Sequence, residues 1–340
     1  MAAGLHIIGQ GLAGTILAWR CLQAGVPFTI RDQQRAFTAS KVAAGLVTPV
    51  TGQRLARTVG WQWQPEMVTF YRWVEGELSQ SFYEARPMLR VLASEEERKV
   101  VEKRLKDPDY VPLLGEITDP LDDSVMRMPF GSVTMPDAGQ LRVPEFLAAS
   151  RLHFQSLGCW LGESIDGQQW PTDRQVVLCQ GPWLCDQALF DWLPMRYSHG
   201  DILTLSIPAL DRLPGARDRL YARQCWLLPD GNDRWCAGST YVGVGKPTTE
   251  PFPEGRNHLE TLLGEWLACD FEVIDHVAAV RPVTLTRHPI LGRHPAHPHL
   301  AVFGGLGSKG VLIAPHYASV LLQHLLNGAE LPREVDIAIQ

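Results

Sequence analysis

The apolar positions change period several times along the chain, and each change marks an element. Leu5, His6, Ile7 and Ile8 form a short apolar run that ends at Gly9, the signature of a buried strand. Helical spacing follows through Leu17, Ala18, Cys21 and Leu22 until Gly25 stops it, and Val26–Arg31 reads as a second strand ending at Asp32. Met67, Phe70, Tyr71, Val74 and Leu78 share one helical face. Ser94 and Glu97 stand in capping-box spacing ahead of a charged stretch to Asp107, which reads as an exposed helix with its charges in solvent. Pro144 suits the first turn of a helix reaching Leu157. Val176–Trp183 reads as a buried strand that ends at Gly181. Between Ile202 and Tyr241 the pattern predicts antiparallel strands, two of them joined by the turn Asp230–Asp233. A helix over Phe252–Leu267, strands over Val277–Leu285 and His299–Gly305, and a closing helix to Gly328 complete the reading.

Composition narrows the class. The chain has 340 residues, 45% of them hydrophobic and 20% charged, which is enough apolar material for a large globular core. A net charge of −6 argues against nucleic acid as the main partner. The 7 cysteines are scattered without a CxxC pair, so reduced thiols in a cytoplasmic protein are expected. No basic-then-apolar leader and no apolar run of ~20 residues is present, so neither export nor a membrane span is expected. His288, His294, His297 and His299 lie close together, but the prolines between them break any ligand periodicity. That stretch is expected to be a proline-rich surface loop, and no metal is expected.

The chemistry-bearing signals are two glycine turns. Strand, Gly9-x-Gly11-x-x-Gly14, helix, strand and then Asp32 is the order of a dinucleotide fold. The first glycine allows the tight turn, the second lets the backbone approach a pyrophosphate, and the third lets the helix pack close to the strand. Asp32 would accept hydrogen bonds from ribose hydroxyls, which disfavours a 2′-phosphate. Near the other end, "FGGLGSKGVLIAP" (Phe303–Pro315) repeats the strand–turn–helix pattern. One dinucleotide has one pyrophosphate, so the second turn calls for a different electron-rich group. An isoalloxazine ring, stabilised by backbone N–H groups between Gly307 and Gly310, fits.

These motifs, with "SKVAAGLVTP", "VVLCQGPW" and "VRPVTLTRHPILG" between them, resemble the D-amino-acid-oxidase-like FAD-dependent oxidoreductases. That group includes glycine and sarcosine oxidases and the flavin domain of a tRNA-modifying enzyme. The resemblance spans nearly the whole chain and implies an α/β fold, with a Rossmann-like FAD-binding domain interleaved with an antiparallel-sheet substrate domain. The expected division is 1–80, 140–195 and 275–340 for FAD, and 81–139 and 196–274 for substrate. The resemblance implies that Gly9, Gly11, Leu12, Ala13, Gly14 and Asp32 hold the ADP half, with Ser40 and Gly45 along the flavin side and Gly181 near the nucleotide. Gly305, Gly307, Ser308, Lys309, Gly310 and Val311 would cradle the pyrimidine end.

It also implies that Arg281 binds a substrate carboxylate; Lys309, as a cation in the second turn, is a candidate to stabilise reduced flavin. Trp226 and Tyr241 are candidate walls of the substrate pocket, while Tyr197 and His199 read as structural. The family's Tyr-Ile-Ile-Pro-like strand is Trp226-Leu-Leu-Pro229 here, and Thr286-Arg287 replace an acid-glycine pair. No cysteine stands where sarcosine oxidases tether flavin, so FAD is expected to be non-covalent. The expected activity is oxidation of a C–N bond in an amino acid or related amine, with oxygen as the acceptor. Three rivals remain open at this point: an NAD-dependent dehydrogenase using the first turn alone, an RNA-modification enzyme acting on a carboxymethylamino-type group, and a flavin-binding protein without turnover.

Overall fold

The computed structural model describes residues 4–162, 170–186, 188–231 and 233–339. Asn232, within the expected turn at 230–233, lies outside them. A five-stranded sheet runs in the order Phe28–Arg31, Leu5–Ile8, Gln175–Leu178, Leu300–Gly304, Ile290–Arg293. The first four are parallel and the last is antiparallel. Alternate side chains feed two different cores. Ile7, Ile30, Val177, Ala301 and Phe303 point to one face, where they meet the opening helix (Leu12–Gln23) and the closing helix (Gly310–Asn327). Ile8, Val176, Leu178, Leu300 and Val302 point to the other and pack on Leu184, Phe190 and Leu193. A strand buried on both faces needs apolar residues at consecutive positions, which explains the short unbroken runs.

The second large element is a nine-stranded, mostly antiparallel sheet. Its spine is the long pair Met195–Ser206 and Glu272–Thr284, joined to the hairpin of Trp226–Pro229 and Trp235–Gly238. Its edge recruits two strands that the sequence reading did not resolve, Met88–Val91 and Ser132–Met135. Helix Pro253–Gly264 covers one side through Leu259, Leu262 and Leu263, packed with Trp235 and Trp266. The expected boundary at 274/275 falls inside the strand Glu272–Thr284.

Two expectations need correction. Helix Glu95–Arg104 is not simply a solvated charge face: Glu97 is buried. Ser94 Oγ accepts the Glu97 N–H at 3.2 Å, and the Glu97 carboxylate accepts Ala93 N–H at 2.8 Å and pairs with the buried Arg90 guanidinium. The histidine-rich stretch is likewise not a surface loop throughout. Ile290–Arg293 is a strand paired with Leu300–Gly304, and His294 is buried with its Nε2 bonded to the Leu189 carbonyl. Among the described residues no three potential ligands cluster to hold a metal.

The closing helix contains Pro315, which has no N–H to give the Val311 carbonyl one turn earlier. Tyr71, fully buried on helix Gln64–Leu78, supplies the missing donor: its hydroxyl bonds to Val311 O at 3.0 Å. Arg20 in turn donates to the Pro315 carbonyl at 2.9 and 3.1 Å, locking the opening helix to the closing one. Tyr71→Phe leaves that carbonyl buried and unpaired, so it should cost about 1–2 kcal/mol in denaturant unfolding. The cost should shrink in a Pro315→Ala background, where residue 315 regains its own N–H. An equal cost in both backgrounds would show that the hydroxyl serves something else.

Candidate active site

The carboxyl ends of all four parallel strands open on one crevice, the general binding place of open α/β sheets. A single cavity of about 800 Å³ extends from there to the face of the large sheet. At its first end, Gly9 has φ +103° and its N–H bonds to the Arg31 carbonyl at 2.8 Å. A methyl group on Gly14 would lie 1.9 Å from the Gly9 carbonyl oxygen, so helix and strand meet at backbone contact distance. Gly11 is extended (φ −80°, ψ −168°), a conformation open to any residue, so its missing side chain serves space alone. The Ser40 hydroxyl sits 3.0 Å from the Leu12 N–H as acceptor, at this end of the cavity and beside Gly11. Asp32 accepts the Gln10 and Gln34 N–H groups, each at 2.7 Å, which fixes its carboxylate at the tip of the second strand.

The second turn lies across the same cavity. Gly305 has φ +68°, and the Gly307 N–H is held by the Pro282 carbonyl at 3.1 Å. Gly310 meets the Leu12 side chain, so the starts of the opening and closing helices touch. Neither of these helices has an acidic residue in its first turn, whereas every other α-helix among the described residues has one. Their positive ends are left uncompensated where they face the cavity. Lys309, at the head of the closing helix, lines the cavity with no carboxylate partner among the described residues. Burial pulls its pKa below the ordinary lysine value. It is not the exposed surface lysine its position would suggest.

The far wall belongs to the large sheet. Trp226, Ile202 and Ala279 supply apolar surface, and the Trp226 ring packs against Gly238. Arg281 extends from the strand Glu272–Thr284 into this wall. Its Nη2 donates to Ser239 Oγ at 2.5 Å and its Nη1 to the Thr240 carbonyl at 3.4 Å, with the Tyr241 ring centroid 5.6 Å from its Cζ. Among the described residues no carboxylate pairs with it, and burial lowers its pKa. Gly200 on the neighbouring strand makes room, since a methyl group there would lie 2.3 Å from Nη1. The backbone cradles, two helix ends without first-turn acids and an elongated cavity suit a long ligand with a phosphate-rich middle and an electron-rich end.

The sequence model of the DAO family, described as FAD dependent oxidoreductase, matches residues 5–323. The chain belongs to that family. It is an FAD-dependent oxidoreductase, and the family decides for flavin against a nicotinamide on the first turn alone. Glycine oxidase from Geobacillus kaustophilus superposes with a TM-score of 0.78 at 17% identity, covering 97% of this chain and 95% of that one. Iminodiacetate oxidase from Chelativorans sp. BNC1 gives 0.79 at 19% identity, covering 96% and 97%. L-proline dehydrogenase from P. horikoshii gives 0.73 at 14% identity, covering 97% and 95%. At these identities the likeness establishes the shared fold. No helix among the described residues is long and apolar enough to cross a membrane.

In this DAO-family chain every expected cofactor residue from Gly9 to Val311 lines the cavity except Gly14, which packs behind the turn against Gly9 and Ile7. Gly45 lines it too, and its missing side chain also admits the Leu141 carbonyl, since a methyl group would lie 1.8 Å away. Trp226, Tyr241 and Arg281 are brought together, while Tyr197 and His199 are absent from the lining. The sequence reading missed Ser239 and Gly200. Neither carries a motif, and their relation to Arg281 exists only once strands pair. Gly11→Val should give a folded protein with little FAD, because a branched side chain would press on Ser40 and fill the open face of the turn. The flavin-to-protein absorbance ratio checks this; normal flavin content would take Gly11 out of the cofactor site.

Proposed function

We propose that this oxidoreductase oxidises the C–N bond of an amino acid or related amine that carries a carboxylate. The observation that carries the reading is Arg281, a half-buried guanidinium in the cavity wall with hydrogen-bonding partners but no counter-charge. A cation held this way is costly without an anion, and a substrate carboxylate provides one with charge-assisted bonding. The neighbouring folds named for glycine and iminodiacetate oxidation fit the same substrate class.

In this reading Gly9, Gly11, Leu12, Ala13, Gly14 and Asp32 hold the ADP half, Ser40 and Gly45 lie along the flavin side and Gly181 approaches the nucleotide. Gly305, Gly307, Ser308, Gly310 and Val311 hold the far end. FAD, when bound, supplies the two-electron acceptor. The chain's own residues orient and dry the substrate: Arg281 fixes the carboxylate, while Trp226 and Ile202 exclude water and Tyr241 stands at the exposed edge. Lys309 favours negative charge at the second turn, and we assign oxygen as the final acceptor on that basis. We infer that FAD is held non-covalently. The cysteines lining the cavity, Cys179 and Cys225, are buried and their thiols are pushed up, Cys225 to about 12, so neither offers a thiolate for a tether. Seven free thiols fit a cytoplasmic location.

Arg281→Leu tests the substrate class. It removes a charge-assisted interaction of roughly 1.5–3 kcal/mol, so carboxylate affinity should fall about ten- to two-hundred-fold. Benzoate and its neutral isostere benzamide, titrated by the flavin spectral change, separate charge recognition from shape. Benzoate binding should weaken and benzamide binding should not, with FAD content unchanged. Equal benzoate affinity in variant and wild type would remove Arg281 from substrate binding. Lys309→Met should keep FAD bound but lower its midpoint potential and slow reoxidation by oxygen, both measured on the purified holoenzyme. Unchanged values would leave Lys309 without an electrostatic role.

A further inference from the structure

Behind Arg281 lies a buried acid that the substrate reading does not use. Asp201 is fully buried on the strand Met195–Ser206. Its carboxylate accepts the Phe252 N–H at 2.9 Å and the Thr240 hydroxyl at 2.7 Å, and His276 Nε2 stands at 3.0 Å. Buried His199 lies 3.5 Å away through Nδ1, its ring stacked on Phe252. The Thr240 hydroxyl also accepts the Asp201 N–H at 2.8 Å, so the two residues are clasped twice.

Strand geometry places this cluster on the opposite side of the sheet from Arg281. Neighbouring residues on a strand face opposite ways, so Gly200 leaves space for the guanidinium on the cavity side while Asp201 points to the rear. Register agrees. Arg281 lies opposite Ser198 and, diagonally, Gly200, whereas His276 lies opposite Leu203 and next to Asp201 on the rear face. Gly255 completes the rear pocket, since a methyl group there would lie 2.1 Å from Asp201 Oδ2. Thr240 is the link between the faces. Its hydroxyl is held by Asp201 while its carbonyl accepts Arg281 Nη1, and the adjacent Ser239 hydroxyl accepts Nη2.

We propose that Asp201 is a positioning residue for Arg281: it anchors the Ser239–Thr240 segment that aims the guanidinium, and it supplies the nearest fixed negative charge without neutralising it directly. Each terminal nitrogen of the guanidinium carries two N–H groups, so one bond apiece to Thr240 and Ser239 does not exhaust its donors, whereas a direct carboxylate partner would take both its donors and its charge. This inference rests on the reading of Arg281 as the carboxylate anchor.

The test uses the FAD-loaded enzyme with benzoate and benzamide as probes. Asp201→Asn keeps the shape and removes the charge. It should weaken benzoate binding about tenfold, the scale on which members of one hydrogen-bond network affect each other, and leave benzamide unchanged. Thr240→Val should produce the same selective loss and Thr240→Ser should restore it. The double variant Asp201→Asn/Thr240→Val should be no worse than either single change. A flavin-loaded Asp201→Asn with wild-type benzoate affinity, additive losses, or equal weakening of both probes would overturn the proposal. Should Asp201→Asn fail to fold, the contrast between Thr240→Val and Thr240→Ser decides. Arg281→Leu keeps the two readings apart. If it spares benzoate binding, the anchor itself is wrong; if it alone weakens binding, only the role of Asp201 falls.

Discussion

The contact between Gly14 and the Gly9 carbonyl is the constraint on which the nucleotide half depends. With 1.9 Å between that oxygen and any methyl group on Gly14, no side chain can be tolerated without moving the helix off the strand. Because the opening helix is seated there, its N-terminus sits over the strand end and its far side packs along the closing helix. Arg20 then reaches the Pro315 carbonyl, and Gly310 touches Leu12, so the second turn takes its position from the first. Two glycine turns far apart in sequence thus form one rigid frame around one cavity.

The substrate wall is built on a different principle. The nucleotide end uses backbone groups, which need no pairing partner once a ligand arrives, whereas the wall uses one charged side chain held by neutral acceptors. Ser239 and Thr240 take two guanidinium N–H groups and leave its charge uncancelled. An acid in direct contact would have stabilised the folded chain further and blocked the site. Keeping Asp201 on the rear face preserves a favourable field without that cost.

What was readable in the sequence follows from how local each feature is. The first turn was legible because strand, glycines, helix and acid are consecutive, and their physical reasons act within some 25 residues. Arg281 could be named through the family resemblance of its Arg-Pro pair, but its partners could not, since Ser239 and Gly200 reach it only through pairing of three strands. Glu97 shows the opposite error. Its neighbours Glu95, Glu96 and Arg98 make a charged run that looks solvated, and only the approach of Arg90 from a strand buries one member. Ser40 was named by resemblance alone, and its hydrogen bond from Leu12 N–H joins two segments that sequence reading could not bring together.

Positive charge gathers at several points of the cavity: two helix N-termini without first-turn acids, and Lys309 and Arg281 without a carboxylate partner among the described residues. Burial penalises both cations, and no carboxylate among the described residues touches either one. The folded chain therefore carries electrostatic strain that its ligands relieve, and ligand binding to the native state alone raises stability by mass action. The relief is divided by position. In the proposed reading the pyrophosphate and the electron-rich ring answer the helix ends and Lys309, while a substrate anion answers Arg281. Cofactor retention and substrate choice are for that reason separable, even though one continuous cavity serves both.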